Sequence, residues 1–187
     1  CDAVTMQTRR RPIVGGMGSS SEDHAERARA VGTWLGREGC HLLTGGGSGV
    51  MAAVSQAFHE VPERRGLVIG IIPCIEGDPL CRAEPSYPNS WVDVPIFTHL
   101  FLVGDLGTEP MSRNHLNVLS SDLIIALPGG AGTASEVWLA RRYQRPLVAY
   151  LASRSDIPDL PDEARVESDF RRVQEFVRAT LQQRERY

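Results

Sequence analysis

Short apolar runs alternate along this chain with glycine-rich turns and with stretches in which apolar positions recur every three or four residues. The first run, Pro12-Ile13-Val14-Gly15, leads into Gly16-Met17-Gly18-Ser19-Ser20; Ala25, Ala28, Val31, Trp34 and Leu35 then follow helical spacing. Ser21 with Glu22 and Asp23 predicts the start of that helix, a hydroxyl cap with two acids at the positive end of the dipole. The second unit is His41-Leu42-Leu43-Thr44, the turn Gly45-Gly46-Gly47-Ser48-Gly49, and a helix carrying Val50, Met51, Val54 and Phe58. Residues 67–72, 122–127 and 147–151 predict three more strands, and Val94-Pro95-Ile96 a further short one. Helices are predicted from Thr133 to about Arg142 and over residues 162–184, the latter with Phe170, Val173, Phe176, Val177 and Leu181 on one stripe.

Strands that are apolar throughout belong to a parallel sheet covered on both faces. Their alternation with helices predicts right-handed crossovers and a Rossmann-like, doubly wound α/β sheet. The length of 187 residues suits one domain, read as residues 12–187 after a flexible polar tail over residues 1–11. Residues 73–110 break the rhythm with six prolines, Tyr87 and Trp91, a length typical of functional loops.

Composition then removes several chemistries. All 20 basic residues are arginine, so neither a pyridoxal Schiff base nor a Walker A lysine is available. A net charge of −3 argues against a dedicated nucleic-acid binder, a DNA-processing relative included. No apolar run approaches the roughly 20 residues of a membrane span. Cys1, Cys40, Cys74 and Cys81 form no C-x-x-C pair and read as reduced cytoplasmic thiols. A start at Cys1, without an apolar signal region, reads as trimmed. His24, His41, His59 and His99 have no metal-ligand spacing, so no metal is assigned.

Three glycine turns fall at predicted strand ends, where backbone amides approach a phosphate and a helix N-terminus favours an anion. They are residues 15–20, 45–49 and 129–132. Dinucleotide binding fits poorly, because Ser135 stands where the third glycine belongs and no acid ends the following strand. Pro128-Gly129-Gly130-Ala131-Gly132-Thr133-Ala134-Ser135-Glu136 resembles the P-G-G-x-G-T-x-x-E signature of the LOG family of cytokinin riboside 5′-monophosphate phosphoribohydrolases. Gly45-Gly46-Gly47-Ser48-Gly49-Val50-Met51 is similar to that family's second glycine motif, and Arg113 and Asp122 to its arginine segment. The resemblance spans roughly residues 12–151 and extends to the molybdenum cofactor carrier proteins. Asn114 follows Arg113 where LOG enzymes usually have lysine, and this Arg-Asn pair is more similar to the carrier-type branch.

The resemblance implies hydrolysis of a purine riboside 5′-monophosphate to free base and ribose 5-phosphate, without metal or organic cofactor. Glu136 and Arg113 would carry it; the alternative is a non-catalytic carrier of molybdenum cofactor or a nucleotide sensor. Glu136 also completes a capping box with Thr133, and Arg113 is also readable as an ordinary surface ion-pair partner. The amides of Gly129, Gly130 and Gly132 with Thr133 would cradle the phosphate, Gly45, Gly46, Gly47 and Gly16 would line the other turns, and Ser19 and Ser20 would meet the nucleoside end. Asp122 and His115 read as structural, while Tyr87, Trp91 and Phe97 either stack on a base or pack. The family likeness implies a homodimer or higher homo-oligomer.

Overall fold

The computed structural model describes residues 10–184. The expected alternation is present as β1 (Ile13–Met17), α1 (Ala25–Glu38), β2 (His41–Thr44), α2 (Val50–His59), β3 (Val68–Ile72) and β4 (Val94–Phe97). It continues with α3 (Asn114–Ser120), β5 (Leu123–Ala126), α4 (Ala131–Arg142), β6 (Leu147–Tyr150), β7 (Val166–Glu167) and α5 (Phe170–Arg184). The seven strands form one sheet in the order β4-β3-β2-β1-β5-β6-β7, and every pairing is parallel. This is the doubly wound α/β fold. The order reverses between β1 and β5, and the crevice beyond the carboxyl ends of those two strands is where such sheets bind ligands.

Alternate residues of each strand feed opposite layers. Val14, Leu42, Val68, Leu123 and Ile125 pack with α1, α2 and α5, where Val173 and Val177 confirm the stripe read in the closing helix. Met17, Leu43, Ile71 and Ile124 pack with Val118 of α3 and Leu139 of α4. A backbone approach sets the first layer: a Cβ at Gly32 of α1 would overlap the Val54 carbonyl oxygen and crowd Ala57 and Phe58 of α2.

Three boundaries depart from expectation. Ser21 does not cap α1. Ser19 Oγ accepts from the Ser21 and Glu22 amides instead, which spends those residues in a turn and delays the helix to Ala25, after His24 in the left-handed region. Thr133 does not cap α4, which begins two residues earlier behind Gly130, so Thr133 and Glu136 form no capping box. The segment before α5 is not helical: β7 occupies part of it and extends the sheet beside β6.

The 73–110 stretch contains β4 as expected, lying on the sheet edge, and Asn89 in it donates to the carbonyls of Gly46 and Gly47 at 2.7 and 2.8 Å. Residues 1–9 of the expected tail lie outside the described residues. Arg10 pairs with Asp122 at 2.7 Å, while the other Asp122 oxygen accepts from the Ile13 amide at 2.8 Å, which joins the entry of β1 to that of β5.

Replacing Gly32 with alanine should destabilise the fold by about 2 kcal/mol or more, because the obstruction is helix backbone and cannot rotate away. A urea midpoint unchanged from that of the unaltered protein would contradict this close packing.

Candidate functional site

Hydrogen bonding between β1 and β5 continues past their ends. Leu127 donates to Met17 O at 2.8 Å and Ser19 donates to Pro128 O at 3.0 Å, so the first and last glycine turns are sutured together at the switch point. Around that suture lies a cavity of about 350 Å³ lined by Ser19, Ser20, Tyr87, Asn114, Gly130, Gly132 and Thr133, with Arg113 and Glu136 at its inner wall. The first intrahelical hydrogen bond of α4 that involves Gly130 runs from Ala134 at 3.0 Å. The amides of Ala131, Gly132 and Thr133 therefore precede the helical ladder and lie at the positive end of the helix dipole, beside the cavity.

A second cavity of about 530 Å³ lies across the Ser19–Gly130 ridge, lined by His24, Arg27, Gly129 and Asp156. It is the larger, but none of those titratable side chains is buried. The smaller cavity is the better candidate, because both buried ionisable groups of the expected site face it.

Arg113 immediately precedes α3 and is 6% exposed. Its Nη1 donates to the carbonyls of Gly45 and, at 2.5 Å, Ile71, buried carbonyls of the turn after β2 and of the end of β3. Tyr87 lies with its ring centroid 5.4 Å from the guanidinium carbon. Gly45 has a steric reason to be glycine, since a Cβ there would overlap the guanidinium. The middle turn thus makes room for an arginine, and Gly45, Gly46 and Gly47 stand behind the cavity wall, not on it. Gly16 is within β1, and Gly129 faces the larger cavity.

Glu136 projects from the second turn of α4 and accepts a 2.8 Å hydrogen bond at Oε1 from Asn117 Nδ2 of α3. Burial pushes its carboxyl up to about 7, against the opposing pull of the Asn117 donor and the Arg113 charge. Burial lowers Arg113 in turn, while Tyr87 and Glu136 hold it up. Asn117 is fully buried and was not singled out in the sequence, where it is one polar position on a short helix outside any motif. Asn114 reaches Gly132 O at 3.4 Å, and His115 is held by Tyr143 Oη at 2.7 Å. Trp91 packs near His59, and Phe97 is exposed on β4. Cys40 is in the core, its thiol pushed up to about 12 by burial.

A doubly wound sheet with a helix start, a buried arginine and a buried glutamate at its switch point places this chain among α/β proteins of the glycine-turn type. The chain belongs to the SLOG cluster4 family, whose sequence profile matches residues 11–179. An uncharacterized protein of Archaeoglobus fulgidus is 33% identical over 125 residues, covering 67% of this chain and 69% of that one. The molybdenum cofactor binding protein from Rippkaea orientalis superposes with a TM-score of 0.71 at 30% identity, covering 93% of this chain and 99% of that one. The Moco carrier protein from Chlamydomonas reinhardtii does so with a TM-score of 0.70 at 26% identity, again over 93% and 99%. The resemblance read at residues 128–136 therefore holds as LOG-like family membership that shades into the carrier branch. Among the described residues, no helix is long and apolar enough to cross a membrane.

The Glu136 environment fixes a sign. The unfolded carboxyl ionises near 4.5 and the folded one near 7, so the folded state holds a proton that the unfolded state has released in between, and stability falls as pH rises through that window. Glu136→Gln should therefore raise stability by about 3 kcal/mol above pH 7, a gain that shrinks towards pH 4.5. Thermal melts of both proteins at pH 5 and pH 8.5 check this, and equal differences at the two values would contradict it.

Proposed function

We propose that the chain binds and carries a phosphorylated pterin of the molybdenum cofactor type in the switch-point cavity. The observation that carries this reading is the open start of α4 beside a buried guanidinium, with a carboxyl that is half protonated near neutral pH. Such a ligand is strongly anionic. The amides of Ala131, Gly132 and Thr133 suit its phosphate, Arg113 supplies the compensating charge, and Glu136 is able to become neutral so that no buried anion opposes the ligand. Tyr87 and Met51 offer ring and thioether surface at the same cavity. The volume is at the lower end for small-molecule sites. Full-length similarity to two molybdenum cofactor binders supports the reading. No metal or organic cofactor of the protein's own enters it; the pterin and its metal are cargo.

A second reading is favoured by the same carboxyl in its ionised form. A carboxylate beside a phosphate cradle would steady an oxocarbenium-like ribose or orient water, giving a purine riboside 5′-monophosphate phosphoribohydrolase with Glu136 and Arg113 as its catalytic residues. In this structure Arg113 Nη1 is held by two backbone carbonyls, which fixes the guanidinium in place as a standing charge at the cavity wall.

Self-association belongs to the proposal as well. Leu116 and Leu119 of α3 and Trp138 of α4 are 37%, 42% and 43% exposed on the two helices that carry the site, and a second copy of the chain is the occupant we assign to them. Light scattering should give at least a dimer, which Leu119→Arg should dissociate.

Incubating the purified protein with molybdenum cofactor released from a molybdoenzyme should give co-elution of pterin fluorescence and molybdenum on gel filtration. Ala131→Asp, which sets a carboxylate against the α4 start, should weaken this at least tenfold. Release of free base from AMP or N6-isopentenyl-AMP, absent in Glu136→Ala, would establish the second reading instead. Absence of both results would overturn both readings.

A further inference from the structure

The fully buried Asn117 side chain is half used. Its Nδ2 donates to Glu136 Oε1 at 2.8 Å, whereas Oδ1 is buried and has no hydrogen-bond partner. A carboxylate cannot satisfy that oxygen, since it has no proton to give. A neutral carboxylic acid can: an acid and a primary amide form a ring in which the amide N–H donates to one carboxyl oxygen and the O–H on the other donates to the amide carbonyl. We propose that Asn117 is a positioning residue that holds Glu136 as a neutral acid, accepting the carboxyl proton on Oδ1 while donating from Nδ2.

Every neighbour bears on this balance. Arg113, from the segment entering α3, favours the carboxylate, and so does the Nδ2 donor of Asn117 taken alone; in the proposed pairing the Oδ1 acceptor outweighs that donor. Tyr87, from the loop before β4, lies with its ring against the Arg113 guanidinium. The turn after β1 brings Gly18, Ser19, Ser20 and Ser21 to the cavity and no ionisable side chain, and Asp105 lies in a separate groove beyond Ser135. On α4 itself, Arg141 and Arg142 are at the opposite end of the helix. Arg113 is thus the only charge that faces the pair among the described residues, and the orphaned Oδ1 together with burial opposes it. Loss of the proton leaves Oδ1 unpaired beside a new negative charge, a doubly unfavourable arrangement for buried groups.

The consequence rests on the anion-binding reading above. With Glu136 neutral, the inner wall carries the single positive charge of Arg113 and accepts an anion. With Glu136 ionised, the wall is neutral overall and its carboxylate repels one. Anion binding therefore takes up about half a proton near pH 7 and close to one above it, and a rise in pH releases the anion.

The test begins with the free protein, labelled with carbon-13 at its glutamate carboxyls, the Glu136 resonance being identified by its absence in Glu136→Gln. A midpoint near 7 is expected in the unaltered protein, and a midpoint in the ordinary range of 4 to 5 would overturn the proposal without any variant. In Asn117→Leu and Asn117→Ser, each checked for folding by circular dichroism, the midpoint should fall by about one unit or more, tenfold in proton affinity. A rise in both would mean that Asn117 merely donates to a carboxylate, and would also overturn it. A second arm uses inorganic sulfate, whose charge is constant from pH 6 to pH 8. Its affinity should fall about tenfold over that range in the unaltered protein and stay flat in Glu136→Gln. Absence of sulfate binding at every pH would count against the anion-binding reading alone, because the carboxyl titration judges Asn117 without any ligand.

Discussion

A parallel sheet ends in carbonyls that no neighbouring strand satisfies, and at β2 and β3 one buried guanidinium closes that gap. Arg113 Nη1 donates to Gly45 O and Ile71 O, and the rest of the site is arranged around this contact. A planar, permanently charged fork suits a place where two carbonyls converge and water is excluded. The contact requires the absence of a side chain at Gly45, puts Tyr87 against the guanidinium, and starts α3 where Asn117 can reach α4. The buried cation, in turn, makes a buried carboxyl at Glu136 tolerable, as uncompensated charges in such surroundings are not retained.

Neither partner makes a direct ion pair with the other. Arg113 spends Nη1 on backbone oxygens, and Glu136 Oε1 accepts from Asn117, so their attraction acts through space without a shared hydrogen bond. This separation leaves the carboxyl free to change protonation without breaking the structural contact. Cradle and charge also come from different sides of the crevice: the α4 amides follow β5, whereas the guanidinium is anchored beyond β2 and β3. An anion at the switch point would be held between two layers that the fold has already fixed, so little ordering would accompany binding.

Much of the fold was legible because buried parallel strands leave an unmistakable mark: the runs around Val14, Leu43, Ile71 and Ile125 are apolar on both faces, as two covering layers demand. β7 was not legible, since two residues beside β6 carry no period. The start of α1 was misread because Ser21 has the chemistry of a cap but Ser19 captures its amide first, a competition between two hydroxyls that local sequence does not resolve. The start of α4 was misread because Gly130 can itself stand at the cap position, which moves Thr133 inside the helix. At the candidate site, Arg113 and Glu136 were singled out through the family resemblance, Glu136 inside the signature and Arg113 in the arginine segment ahead of it. The middle turn illustrates the limit of that method, as its glycines resemble a phosphate cradle, while Gly45 is instead shaped by a side chain 68 residues away. Asn117 had no signal at all, because its meaning depends on which atom of Glu136 lies opposite, and that is settled by how α3 packs on α4.

Binding and hydrolysis by this site differ in the state of a single proton. A neutral Glu136 withdraws negative charge from the cavity and offers no base to water, which suits retention of an anionic cargo. An ionised Glu136 would suit stabilisation of a cationic sugar, but would stand beside the ligand's own phosphate in a buried space. Burial raises the first state and Arg113 supports the second; with the carboxyl near 7, the two are nearly balanced. An entering polyanion shifts such a balance towards the neutral acid, since each added negative charge makes the carboxyl hold its proton more tightly. The anionic ligand of the proposal would therefore also push the carboxyl into the form least able to attack it, and on that ground the proposed carrier reading stands before the hydrolase one.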